Sequence, residues 1–179
     1  MSALKPLASE NLHSATRAVR AGLCADSQHG AVMPPIVLSS TFAFEGFEKP
    51  RAYDYSRSGN PTRDQFGAAL AELEGGAGAV VTSTGLSAIA LVLHLLEPGQ
   101  RVLAPHDGYG GTFRLLRGYA AKGWIDVRFV DYRDEVALAR ELRDEDTRPR
   151  LVWIETPSNP LLRITDVAAV AAAAHRVGA

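Results

Sequence analysis

The segment Thr82-Ser83-Thr84-Gly85-Leu86-Ser87 gathers hydroxyl side chains around a glycine where an apolar run gives way to a helical pattern. A helix starting at Gly85 leaves the N–H groups of Gly85, Leu86 and Ser87 without intrahelical acceptors, at the positive end of the helix dipole. Gly85 lets an anion come close to the backbone, and Ser83, Thr84 and Ser87 add donors. The chemistry would be the cradling of a phosphate, although a plain capped turn fits the same residues equally well. Earlier in the chain, Tyr53-Asp54-Tyr55-Ser56-Arg57-Ser58-Gly59-Asn60-Pro61 sets two aromatics, an acid and an arginine in a breaker-rich stretch. An arginine fork there can pair a phosphate bidentately, and a solvated loop is the competing reading. Tyr109 stands between Gly108 and Gly110-Gly111, and Glu155-Thr156-Pro157-Ser158-Asn159-Pro160 follows a short apolar run. If both follow strands of a parallel sheet, they share its carboxyl edge, where open α/β sheets bind ligands, and the Tyr109 ring could stack on a flat cofactor.

The elements that must position these residues are legible in the periodicities. Residues 1–60 show neither a helical nor a strand period over a long window and are interrupted by Pro34, Pro35, Pro50, Gly22, Gly30, Gly46 and Gly59. They read as an extended arm. Its aromatics Phe42, Phe44, Phe47, Tyr53 and Tyr55 speak against a disordered tail, so the arm is expected to wrap a neighbouring subunit. From Pro61 the pattern turns helical. Thr62 and Gln65 form a capping-box pair, Phe66, Leu70 and Leu73 recur at helical spacing, and Gly75-Gly76 ends the helix. Residues 79–82 read as a buried strand, and a helix from Gly85 carries Ile89, Val92, Leu93 and Leu96 to Pro98-Gly99. Strands are then expected at 101–104, 127–131 and 151–154, and helices at 112–121, 135–143 and 166–177. Short strands alternating with such helices predict βαβ crossovers and a parallel sheet of four strands covered on both faces. The sequence stops where another strand is due, so a piece of a larger chain is expected, with 61–179 as the first half of an α/β domain.

Several function classes are disfavoured. In the GGAGAV turn, Gly75 to Val80, the third glycine of a dinucleotide-binding spacing falls on Val81, and the turn precedes a strand instead of following one. No P-loop pattern occurs. His13, His29, His94, His106 and His175 share no ligand spacing with one another or with Cys24, so no metal site is implied. Nineteen basic and 20 acidic residues give a net charge of −1, which offers little to a nucleic acid or an anionic membrane. Cys24, the single cysteine, suits a reducing cytoplasm. The N-terminal MSALKPLASENLHSATRAVR lacks the apolar run of a secretory signal, and the longest apolar stretches fall far short of the roughly 18 residues of a membrane span.

Taken together, YSRSGNPTRDQFGAALAELEGG, TSTGLSAI, HDGYGGTFRLL and WIETPSNPLLRITDV resemble the cysteine and methionine metabolism family of pyridoxal-phosphate (PLP) enzymes, nearest its γ-replacing bacterial members. The likeness runs from about Gly30 to Gly178. It implies an N-terminal arm followed by part of a PLP-dependent transferase large domain of aspartate-aminotransferase type. Carried over position by position, it implies Gly85 and Leu86 as backbone phosphate ligands and Tyr55 and Arg57 as phosphate ligands of a neighbouring subunit. It further implies that Tyr109 stacks on the pyridine ring, that Asn159 bonds near the cofactor's phenolic oxygen, and that Glu155 orders its loop. Asp54, Arg114 and Glu155 are the substrate-side candidates.

The reaction implied is γ-replacement, in which cysteine displaces the acyl group of O-succinylhomoserine to form cystathionine. The alternatives are elimination on cystathionine, as in the family's γ-lyases, direct sulfhydrylation, or a noncatalytic α/β partner domain. Asp54 before Tyr55 favours the synthases, whereas Ser58 stands where enteric-type synthases carry an arginine. The family's PLP-bonded lysine is expected beyond residue 179, because Lys5, Lys49 and Lys122 lie outside its serine-rich lysine motif. The 179 residues alone are therefore expected to be inactive. A cytoplasmic homotetramer built from dimers with shared active sites is the implied assembly.

Overall fold

A computed structural model describes residues 12–23, 26, 28–143 and 148–179; Lys5 and Cys24 lie outside the described residues. The chain forms two compact units, Met1–Val81 and Thr82–Ala179.

In the first unit, α1 (Ser14–Arg20) is a helix that the sequence reading of 1–60 omits, since seven residues are too few to display a period. The segment around residues 40–56 doubles back on itself. Thr41 and Tyr55 form an antiparallel bridge, and the Phe42 N–H donates to Asp54 O at 2.9 Å. The second helix, α2 (Pro61–Glu74), is capped by Asn60, whose side chain accepts from the Thr62 N–H at 2.9 Å. The expected Thr62–Gln65 capping box is thereby corrected. Pro61 has no N–H to satisfy and its φ is preset for the first helical position, so the helix begins one residue before Thr62. The freed Thr62 hydroxyl accepts from the Val37 N–H at 2.8 Å and pins the preceding segment to the helix. Gly75, at φ 66°, ends α2 in the left-handed conformation. Gly67 is the buried position of α2, and an added Cβ would lie 3.3 Å from the Ala79 carbonyl oxygen.

The expected strand at 79–82 does not form. Its apolar run pairs with no strand among the described residues, and Val80 is 75% exposed. The sheet accordingly has three strands among the described residues instead of the expected four.

The second unit contains α3 (Gly85–Leu93), β1 (Arg101–Pro105), α4 (Gly110–Ala121), β2 (Asp126–Val130), α5 (Glu135–Arg143), β3 (Pro149–Val152) and α6 (Val167–Arg176). All three strands run parallel in the order β2-β1-β3, with Leu103 opposite Arg128 on one side and Val152 on the other. Successive side chains of the central strand point to opposite faces. Val102 and Ala104 pack with Leu93, Leu116 and Ile125 beneath α3 and α4. Leu103 packs with Val130, Tyr132, Leu138, Leu142 and Val170 beneath α5 and α6. Right-handed crossovers require this division. The chain moves from β1 outward to β2 through α4, then back across β1 to β3 through α5, so the two helices must cover opposite faces.

Candidate functional site

The reversal just described has a chemical consequence at the carboxyl ends of the strands. The connection leaving β1 departs over one face and the connection leaving β3 over the other, so the loops following these neighbouring strands splay apart. An open α/β sheet takes its ligand at such a switch point. The loop 106–109 carries Tyr109 there, and residues 153–166 carry Glu155 and Asn159.

Glu155 joins the two loops. Its Oε2 accepts from the Tyr109 N–H at 2.5 Å, while Oε1 accepts from the Thr112 hydroxyl at 2.6 Å and the Trp153 indole N–H at 3.0 Å. Both carboxylate oxygens are thus engaged by donors of the protein itself. An added Cβ on Gly108 would lie 3.0 Å from Oε2, so glycine there allows the loop to close on the carboxylate. The Tyr109 ring stays 48% exposed and its residue opens α4 without a side-chain cap. Asn159 is exposed in a turn that its neighbour Ser158, 3% exposed, holds from below. The Ser158 N–H donates to Arg163 O at 2.9 Å, and the Ser158 hydroxyl accepts from the Arg163 N–H at 3.1 Å. The Thr156–Pro157 and Asn159–Pro160 peptides in this loop are cis. Arg114, one turn into α4, is exposed with its guanidinium beside Gly110.

Helix α3 packs on the same face of the sheet as α4, through Ile89 and Leu93, and its start is exposed. Thr84 caps it, accepting from the Ser87 N–H at 3.1 Å and bonding the Ser87 hydroxyl at 2.9 Å. The N–H groups of Gly85 and Leu86, at the first two helical positions, have no intrahelical acceptor. No acid lies in the first turn, and the space a Gly85 Cβ would occupy is open. These residues fit a phosphate monoester attached to a flat ring: two free amides and nearby hydroxyls for the anion, and an exposed phenol ring for the plane.

Within the first unit, Tyr55 and Arg57 form their own cluster, with the guanidinium carbon 5.3 Å from the ring centre. Asp54 Oδ1 accepts from the Tyr55 N–H at 2.6 Å and the Ser58 hydroxyl at 3.2 Å, shaping the turn. Arg63 of α2 clips that turn through the Ser56 carbonyl at 3.0 Å and the Arg57 carbonyl at 3.4 Å. Sequence reasoning misses the supporting roles of Arg63, Thr112, Trp153, Ser158 and Arg163. Glu155 itself is already given by the family resemblance as ordering its loop; an acid three residues past β3 and two beyond a tryptophan is the signal that could have pointed to its bond with Trp153.

An open α/β domain with a helix-start anion cradle and an aromatic at its switch point is a cofactor-binding domain. The chain belongs to the Cys/Met metabolism PLP-dependent enzyme family, which matches residues 15–179. It is 57% identical over 166 residues to cystathionine gamma-synthase of Escherichia coli, covering 92% of this chain and 42% of that protein. Cystathionine gamma-lyase of Sus scrofa is 38% identical, covering 93% of this chain and 40% of that protein. The crystal structure of cystathionine gamma synthase from Xanthomonas oryzae pv. oryzae in complex with cystathionine superimposes with a TM-score of 0.85 at 57% identity. It covers 94% of this chain and 43% of the other. The chain therefore spans about two fifths of the length of these relatives. The parallel α/β fold and the PLP-dependent family expected from the sequence both stand.

Proposed function

We propose that the protein to which these residues belong catalyses γ-replacement, forming cystathionine from O-succinylhomoserine and cysteine, in the cytoplasm. The observation that carries this reading is the 57% identity with a cystathionine gamma-synthase across 92% of the chain. The elimination reading has the weaker support of 38% identity with a gamma-lyase.

Bound PLP supplies an electron sink that lets the amino acid lose protons at Cα and then Cβ, so that a group can depart from Cγ. The chain's own residues bind and orient. The amides of Gly85 and Leu86, with the hydroxyls around them, hold the phosphate dianion at the helix start, where the dipole favours it. Tyr109 offers its ring to the pyridine face, and Asn159 offers its amide beside the phenolic oxygen. Glu155, fully engaged by three donors, fixes Tyr109 and does not bind substrate directly. Tyr55 and Arg57 reach the phosphate of a neighbouring subunit, and Asp54 shapes their turn. Arg114, exposed near the start of α4, would meet the acidic end of the substrate. The exposed Val32, Met33, Ile36, Leu38, Phe44 and Phe47 support burial of this segment in a homotetramer made of dimers. The lysine bonded to PLP lies outside these 179 residues, which alone turn nothing over.

Steady-state kinetics of the full-length protein test the reading. A higher kcat/KM for cysteine addition to O-succinylhomoserine than for cystathionine cleavage is expected, because that ratio compares transition-state stabilisation. The reverse order would replace this assignment with the lyase, and a protein that takes up no PLP would end it.

A further inference from the structure

The loop carrying Asn159 makes a second tie to the loop carrying Tyr109. Arg163 Nη1 lies 3.5 Å from Asp107 Oδ2 and 3.5 Å from His106 Nε2. Asp107 is only 14% exposed, and it sits two residues before Tyr109, whose N–H is held by Glu155. The loop 153–166 thus grips the loop 106–109 twice, through Glu155 near its start and Arg163 near its end, with Asn159 midway between the grips. Arg163 is also fixed to Ser158 by two hydrogen bonds, and the Leu162 N–H donates to Ser158 O at 2.8 Å. Residues 158–163 therefore form a small closed ring, at one corner of which sits the neighbour of Asn159. The backbone of Arg163 thus holds Ser158 while its guanidinium reaches the other loop.

We infer that Arg163 is a positioning residue, which through its pairing with Asp107 locks the Asn159 loop to the Tyr109 loop and so presets the spacing between the two groups that receive the cofactor. The cofactor part of this inference rests on the PLP reading above. A ligand that must meet both groups binds more tightly when they are already spaced for it, because less ordering remains to be done on binding. The contact to Asp107 runs through one guanidinium nitrogen at ion-pair distance, so a lysine ammonium preserves its attraction while methionine abolishes it.

The test compares wild type with Arg163→Met, Arg163→Lys, Asp107→Asn and the double variant Asp107→Asn/Arg163→Met, all full-length. In the PLP-free protein, amide hydrogen exchange should rise in Arg163→Met across both 106–112 and 156–165. The PLP dissociation constant should rise about 3- to 10-fold, a range expected for one element of a coupled network. Arg163→Lys should restore both to near wild type, and the double variant should be no worse than either single one. Faster exchange confined to 156–165, additive effects in the double variant, or a lower melting temperature with an unchanged PLP constant would overturn the inference. A wild type that binds no PLP would refute the proposed function instead, and the exchange data from the PLP-free protein would still decide whether the lock exists.

Discussion

Replacing Glu155 by glutamine keeps the size of the side chain and removes one of its two acceptor oxygens. The carboxylate accepts three bonds, from Tyr109, Thr112 and Trp153, at 2.5, 2.6 and 3.0 Å. An amide can satisfy Thr112 and Trp153 with its oxygen, but its NH2 then faces the Tyr109 N–H, donor against donor. The opposite flip sets the NH2 against the indole N–H, also donor against donor, while the Thr112 hydroxyl can rotate to accept. Because Trp153 is partly buried and Tyr109 is exposed, the first arrangement costs less and Tyr109 is released to water. A hydrogen bond to a charged group contributes about 1.5 to 3 kcal/mol net. The Tyr109 amide should therefore exchange roughly 10- to 150-fold faster in Glu155→Gln, while the protein still melts cooperatively. Glu155→Ala removes all three bonds and leaves the buried Thr112 hydroxyl unpaired, so it should lose about 2 to 4 kcal/mol in urea unfolding. Residue-resolved hydrogen exchange is the assay. An unchanged Tyr109 exchange rate in Glu155→Gln would show that the carboxylate does not hold this loop, and the account of Tyr109 positioning would fall with it.

In the full-length protein, Arg57→Ala should weaken PLP retention roughly 10- to 150-fold, the loss of one charge-assisted phosphate contact, read as a dissociation constant; an unchanged constant would remove Arg57 from the site. Tyr132→Phe removes the hydroxyl bond to Trp153 O, 2.9 Å, and should cost about 1 kcal/mol near neutral pH. Burial raises the Tyr132 pKa, so wild type should lose stability as pH climbs above the ordinary phenol value of about 10, where the unfolded tyrosine ionises and the folded one does not. The gap between the two proteins should then narrow between about pH 10 and 11, and parallel alkaline declines would contradict this. Hydrogen bonds from the Arg133 side chain and backbone hold the Asp131 carboxyl well below the usual range. Its contribution is present above the unfolded value of about 3.9 and is lost as pH falls below it, so Asp131→Asn should be modestly less stable than wild type at neutral pH, the pair being largely exposed, and the gap should close along the acid limb of an unfolding titration.

What the sequence discloses are features set by near neighbours. The helix Glu135–Arg143 falls where its periodicity places it, and Arg101 starts β1 as expected, because an amphipathic stripe or an apolar run between breakers is a local signal. The run 79–82 carries the same local signal and fails, since a strand exists only when another strand accepts its hydrogen bonds, and none does so among the described residues. The stripe Phe66, Leu70 and Leu73 lies on a real helix yet remains at least a third exposed, while Gly67, which no hydrophobic pattern singles out, is the buried residue. In the site, the helix-start cradle is legible because its donors are consecutive. The loop-ordering role of Glu155 comes only from the family resemblance, and its bonds to Tyr109 and Thr112 and the Arg163 tie are not legible, because those partners are 43 to 57 positions away and come together only through the sheet.

The central position of β1 sets a schedule for the chain as it is made. Its five residues are buried, yet Arg101 waits for Asp126 on one side and for Pro149 on the other, 25 and 48 positions later. At roughly 5 to 20 residues per second, the third strand follows the first by about 2 to 10 s of synthesis. Through that interval the most apolar strand of the unit has unpaired edges, and long-range parallel pairing is slow to form. Translation speed between residues 105 and 152 therefore bears on the yield of folded protein, and the interval is one in which a chaperone that shields bare strands has the most to protect.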